Sequence, residues 1–203
     1  MLNVSNNNNN NPYIKLEDYK SFDYEIPNIF LDFIIEDKRV IVKTELKLIK
    51  KNIDINSLIL DGIDIFVEKI YLDESLLEEN NYSIQKNRLL IKPILKETFT
   101  LKIVGTIKPK ENFSLLGMYE SNGIITTQCE AEGFRRISYH SDRPDILSKY
   151  KVRIEANKED YPVLLSNGNL VKANDLEHRR HEVIWEDPVS YTHLTLPTST
   201  HVV

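Results

Sequence analysis

The densest concentration of reactive side chains runs from Gln128 to Arg136, where an apolar stretch gives way to Gln128, Cys129, Glu130, Ala131, Glu132, Gly133, Phe134, Arg135 and Arg136. Polar groups that appear where a strand ends sit at a rim, and a partly desolvated carboxylate there attracts an ammonium group far more strongly than an exposed one does. Glu130 is therefore a candidate for holding a cationic ligand group. Gln128, two residues earlier, lies on the same side of an extended strand and offers a side-chain oxygen as a second acceptor. Spacing alone favours the plainer reading, an ion pair of Glu130 or Glu132 with Arg135 or Arg136. Cys129 alternates with Gln128 and Glu130, so it faces the other way, as a small buried thiol rather than a nucleophile. The arginines can hold acidic turns such as Asp142-Arg143-Pro144-Asp145, or an adjoining domain.

A second segment, EHRRHEVIWED, opens at His181-Glu182 like the HExxH of zinc proteases, but Trp185 stands where the second histidine belongs. His178 and His181 are three apart and lack further convergent donors, so they are expected as exposed turn histidines rather than metal ligands. No Gly-rich phosphate loop, nucleophile elbow or paired-cysteine zinc site occurs.

Strands must position these groups. Val40, Val42, Thr44, Leu46 and Leu48 fall on one face of a period-two segment with Lys43, Glu45 and Lys47 on the other. Phe99 to Ile107 and Lys151 to Glu155 repeat the alternation. In IDIFVEKIYLD the apolar phase switches between Val67 and Ile70, as a β-bulge or strand end near Lys69 would produce. Asp61-Gly62, Asn122-Gly123 and Asn167-Gly168 have the chemistry of tight hairpin turns. The best helix signal is DRPDILSKY, with Asp142 as cap and Pro144 in the first turn, and it predicts one short helix or helical turn. The sum is an all-β, mainly antiparallel meander or sandwich.

A chain of 203 residues suits one filled core plus an arm, and 41% hydrophobic with 28% charged residues is the balance of a soluble globular protein. The net charge of -5 leaves no basic face for phosphates, so nucleic acid is excluded as a partner. No apolar run approaches the roughly 20 residues needed to cross a bilayer, and the start lacks a signal peptide, which makes a membrane partner unexpected and a cytoplasmic location the default. The single Cys129 agrees with a reducing compartment. The run Asn6 to Asn11 can bury nothing, so residues 1–17 are expected to form a disordered arm.

The long stretch TTQCEAEGFRRISYHSDRPDILSKYKVRIEANKEDYPVLLSNGN resembles the corresponding part of the aminopeptidase N family of zinc aminopeptidases. DYKSFDYEIP, LLGMYESNG and RRHEVIWEDP extend the likeness over about residues 18–188. The resemblance implies a saddle-like β domain placed before a thermolysin-like catalytic domain, which would be its partner in cis. It also implies that zinc, with all its ligands, belongs to that following domain, so this chain alone would be inactive. Peptides with a free amino terminus are the implied substrates, and Gln128 and Glu130 take the positions that bind their α-amino group. A bare docking surface for the catalytic domain would then favour self-association. His140 and Ser141 depart from the family at places usually aromatic or aliphatic, and Glu177-His178-Arg179 replaces a Gly-containing turn; all are turn positions. The reading that competes with the enzyme is a non-catalytic β-sandwich binding module.

After Pro188 the likeness stops. Val189 to Leu194 resembles a translated frame of a transposon-end sequencing adapter, which implies that residues 189–203 are a non-native tail.

Overall fold

The computed structural model of the chain describes residues 16–191. The expected arm lies outside the described residues except for Leu16 and Glu17, and so does the expected tail beyond residue 191.

The described residues form strands β1 (Tyr24–Ile35), β2 (Val40–Lys50), β3 (Leu58–Asp61), β4 (Phe66–Leu72), β5 (Ser75–Leu76), β6 (Tyr82–Gln85), β7 (Arg88–Ile91), β8 (Thr98–Ile107), β9 (Gly117–Ser121), β10 (Ile124–Gln128), β11 (Ser148–Asn157), β12 (Asn169–Asp175) and β13 (Arg180–Tyr191). The all-β expectation holds, and helix among the described residues is limited to short 3-10 turns. Eight strands make one sheet in the order β12-β13-β11-β1-β2-β8-β4-β5, beside a three-stranded sheet β3-β7-β6 and the hairpin β9-β10. All pairings are antiparallel except β1 with β11, which run parallel.

Alternation places the core as the sequence requires. Val40, Val42, Thr44, Leu46 and Leu48 are all buried, and so are Phe99, Leu101, Ile103 and Ile107 on β8 and Val152 and Ile154 on β11. They join Leu58, Leu60, Leu89, Ile91, Phe134 and Ile137 of the smaller elements in one continuous apolar cluster. The buried hydroxyl of Thr44 is satisfied by Ser138 Oγ at 2.5 Å, as a polar group removed from water must be. The phase switch in β4 is a register shift against β8 between Val67 and Lys69.

The turn predictions divide. Asn122-Gly123 closes the β9-β10 hairpin with positive φ at both residues. Asp61-Gly62 is no hairpin: Gly62 is required because the Tyr139 ring lies against it, where a Cβ would come within 2.3 Å. Asp61 instead exchanges two backbone hydrogen bonds with His140, at 2.8 and 3.0 Å. Gly168 has φ +85 and packs on the backbone of Glu186 as the chain enters β12, with no strand directly before it to complete a hairpin. Tight turns do occur at Asp73-Glu74 and His178-Arg179, where residues other than glycine take positive φ. The DRPD segment forms a turn at Pro144-Asp145 rather than a helix. Its would-be cap, Asp142, is engaged elsewhere.

Candidate amine-anchoring turn

Strand β10 ends at Gln128, paired with Gly117 of β9. The chain then reverses through Cys129 to Gly133, closed by Gly133 N–H donating to Cys129 O at 2.7 Å, and the Glu130-Ala131 peptide is cis. Two glycines make this possible. Gly117 has φ +77, and a Cβ there would lie 2.5 Å from Arg136 Cβ; a Cβ on Gly133 would lie 2.2 Å from Gln128 O and 2.9 Å from Gly117 N. Side chains at either position would push the turn off the hairpin. A 3-10 turn at Phe134–Arg136 follows, and its Phe134 is fully buried.

Both residues singled out from the sequence are on this turn and exposed, Gln128 and Glu130 alike, while Cys129 between them is buried as the alternation predicts. Gln128 Nε2 donates to Glu130 O at 3.2 Å, which ties the residues together and leaves the amide oxygen to face a donor. Among the described residues no lysine, arginine or histidine pairs with Glu130. The ion pairs are those of its neighbours: Arg135 reaches Glu132 at 3.3 Å and Asp142 at 3.0 Å, and Arg136 reaches Asp64 at 2.5 Å. The plain ion-pair reading is thus met by Glu132 and not by Glu130.

Arg135 and Asp142 form the rigid base of the turn. One Asp142 oxygen takes both the backbone N–H of Arg135, at 3.1 Å, and its Nε–H, at 3.0 Å, and Arg135 Nη2 donates to Asp142 O at 3.0 Å. Burial raises the Asp142 carboxyl above its usual range against the pull of Arg135. Burial also works against the guanidinium, but Asp142 outweighs it and holds the arginine charged. The converging N–H groups are those of an ionised pair.

The histidines part company with expectation. His178 is exposed in its turn, but His181 is buried, with Nε2 2.7 Å from Tyr161 O. Its place on β13 faces it inward opposite Ala156, where strand alternation rather than turn chemistry decides. His140, expected at a turn, is wholly buried, stacks edge-on against Phe134 at 4.9 Å, and has no hydrogen-bond partner among the described residues for either ring nitrogen. Burial pushes its pKa down to about 3. Among the described residues no three His, Cys, Asp or Glu side chains come together as a metal site.

Close to the turn, Phe66, Ile84, Phe113, Met118, Arg136 and Tyr139 border an open hollow of about 1040 Å³. Phe113 is 88% exposed and Phe66 71%. The bordering loop is braced by Asn112, whose Nδ2 donates to Leu116 O and Met118 O at 2.8 Å each. Sequence reasoning passed over this loop because its apolar residues follow no period; the Asn112-Phe113-Ser114 spacing, which suits a side-chain-closed turn, was the available signal.

The profile of the Peptidase M1 N-terminal domain matches residues 28–192. The chain belongs to that family. Aminopeptidase N of Haemophilus influenzae is 40% identical over 172 residues, which are 85% of this chain and 20% of that protein. Aminopeptidase N of Escherichia coli is 38% identical over 171 residues, 84% of this chain and 19% of that one. Among solved structures, aminopeptidase A of Legionella pneumophila, in complex with aspartic acid, superposes with a TM-score of 0.85 at 37% identity, over 92% of this chain and 22% of that one. An M1 zinc metallopeptidase from Deinococcus radiodurans shares the fold at TM-score 0.75 and 12% identity, over 88% of this M1 domain and 43% of that chain. The M1 domain thus spans about a fifth of the curated relatives it matches.

Proposed function

We propose that this M1 domain supplies the anchor for the substrate α-amino group in a zinc-dependent aminopeptidase, with Glu130 taking the ammonium and Gln128 adding a hydrogen bond. The observation that carries the reading is an exposed carboxylate without a cationic partner among the described residues, on a braced turn, in a chain about 40% identical to a protein named aminopeptidase N. An ammonium held at a set place fixes which peptide bond reaches the hydrolytic centre, so one residue is removed from a free amino terminus; a blocked terminus leaves the carboxylate unpaired. In this reading zinc and its chemistry belong to the remainder of the parent enzyme. That remainder, in cis, is the partner for the apolar hollow beside Phe113. A cytoplasmic parent goes with this reading as part of the proposal.

The test is Glu130→Gln in the parent enzyme with L-alanine p-nitroanilide as substrate. Loss of one charge-assisted contact, about 2–3 kcal/mol, raises KM by about 30- to 150-fold. Unchanged KM overturns the assignment.

A further inference from the structure

Two carboxylates ride on the turn, and only one is neutralised. Glu132 takes Arg135 Nη2 at 3.3 Å, while Glu130 two residues away has no cation among the described residues. The same guanidinium is fixed from below by Asp142, through Nε at 3.0 Å and Nη2 at 3.0 Å. Its backbone is fixed as well, with N–H on Asp142 Oδ2 at 3.1 Å and the carbonyl accepting Ile63 N–H at 2.7 Å. Arg135 therefore cannot swing toward Glu130 without giving up Asp142, a carboxylate whose burial would leave it unpaired at high cost.

We infer that Arg135 is a positioning residue of the amine anchor: it removes Glu132 from competition and pins the turn so that Glu130 is the single carboxylate presented to an incoming ammonium. This rests on the reading of Glu130 given above. The mechanical half follows from closure of the turn. Gly133, between Glu132 and Arg135, is packed on Gln128 O and Gly117 N with no room for a side chain, so a shift of Arg135 passes directly to the strand end that carries Gln128. The electrostatic half follows from proximity. A Glu132 carboxylate released from Arg135 would repel Glu130 two residues away and push it off the place where it meets the ammonium, which weakens productive binding.

The experiment compares Glu130→Gln, Arg135→Gln, Arg135→Lys and Arg153→Gln in the parent enzyme, with KM and kcat for L-alanine p-nitroanilide. Arg153 lies on the far face of the large sheet and reports the effect of loosening the domain alone. Arg135→Gln is expected to raise KM about 10-fold with kcat within about threefold, since small misplacement of a positioning contact has effects of this order. Arg135→Lys, which keeps the charge but loses the fork, falls between. Glu132→Gln added to Arg135→Gln recovers most of the lost affinity by removing the competing carboxylate. Arg135→Gln added to Glu130→Gln raises KM no further.

If Glu130→Gln itself leaves KM unchanged, the anchor reading fails. If Glu130→Gln raises KM but Arg135→Gln does not, or does so no more than Arg153→Gln, the positioning role is overturned and the anchor stands. The role is also overturned if Glu132→Gln fails to recover affinity, or if the effects of Glu130→Gln and Arg135→Gln multiply. Should Arg135→Gln not fold, the Arg135→Lys variant with and without Glu132→Gln decides by the same recovery.

Discussion

Replacing His140 by phenylalanine should make the domain resistant to mild acid. The imidazole is completely buried, lies edge-on to Phe134, and has neither nitrogen hydrogen-bonded among the described residues. Its pKa falls from 6.5 to about 3 because burial opposes the charge. The folded ring stays neutral while the unfolded chain takes up a proton below pH 6.5. The contribution of His140 to stability is therefore intact above pH 6.5 and is lost as the pH drops toward 3. At about 1.4 kcal/mol per pH unit, this one group removes roughly 2.7 kcal/mol between pH 6.5 and 4.5. Phenylalanine keeps the ring and cannot titrate. It also removes two unpartnered buried nitrogens, worth about 1–2 kcal/mol at neutral pH. Urea denaturation followed by Trp185, the single tryptophan, gives the stability difference between variant and native chain at pH 7.5 and 4.5. Carboxylates that titrate in this range are common to both proteins and cancel. The difference should widen by about 2–3 kcal/mol at the lower pH; an equal difference at both values would refute burial of a neutral His140.

Arg153 is the centre of the polar face of the large sheet, bonding Asp32 at 2.7 Å and Glu155 and Glu182 at 2.6 Å each. Arg153→Met should cost about 3 kcal/mol in urea unfolding at pH 7, the low end for breaking a buried pair, because Lys43, Arg180 and Lys172 still serve the three acids. The Glu182 carboxyl is held below its usual range by Asn174 and Arg153, so this cost should shrink as the pH falls through the carboxylate range, and a cost independent of pH counts against the network. For the hollow, Phe113→Ser with Phe66→Ser should reduce self-association in light scattering at high concentration; a native chain that stays monomeric there removes the idea that the face is covered in the parent.

Strand faces were legible because burial follows period two: Val40 to Leu48 and Phe99 to Ile107 could be assigned from alternation alone. The bulge near Lys69 was legible for the same reason, as a break in phase. Turns were legible only where glycine relieved positive φ, as at Asn122-Gly123. At Asp73-Glu74 and His178-Arg179 the strands impose that conformation on residues that carry no local sign of it, and at Gly62 the glycine answers to the distant Tyr139 ring. Strand order could not be read at all, since the β1-β11 pairing joins segments more than a hundred positions apart. At the site, the exposure of Gln128 and the burial of Cys129 agree with alternation, whereas Glu130 lies in the turn after β10 and not on the extended strand that the spacing suggested. The commitment of Arg135 to Asp142 and Glu132 did not, because a list of charges does not say which arginine is tied down. His140 and His181 were misplaced for a related reason: a polar residue type suggests solvent, whereas its place in a ladder or under an aromatic ring decides.

The parallel union of β1 with β11 has a consequence for biogenesis. β1 leaves the ribosome long before β11 and is dominated by Ile, Leu and Phe, yet one of its two edges finds its mate only after Asn28 to Ile34 can meet Lys149 to Glu155. Through synthesis of more than a hundred intervening residues that apolar edge stays open to any neighbouring nascent chain. Closure must be late and slow, as it is for topologies dominated by distant contacts. Chaperone demand during translation should peak in this window and fall once residue 157 has cleared the exit tunnel.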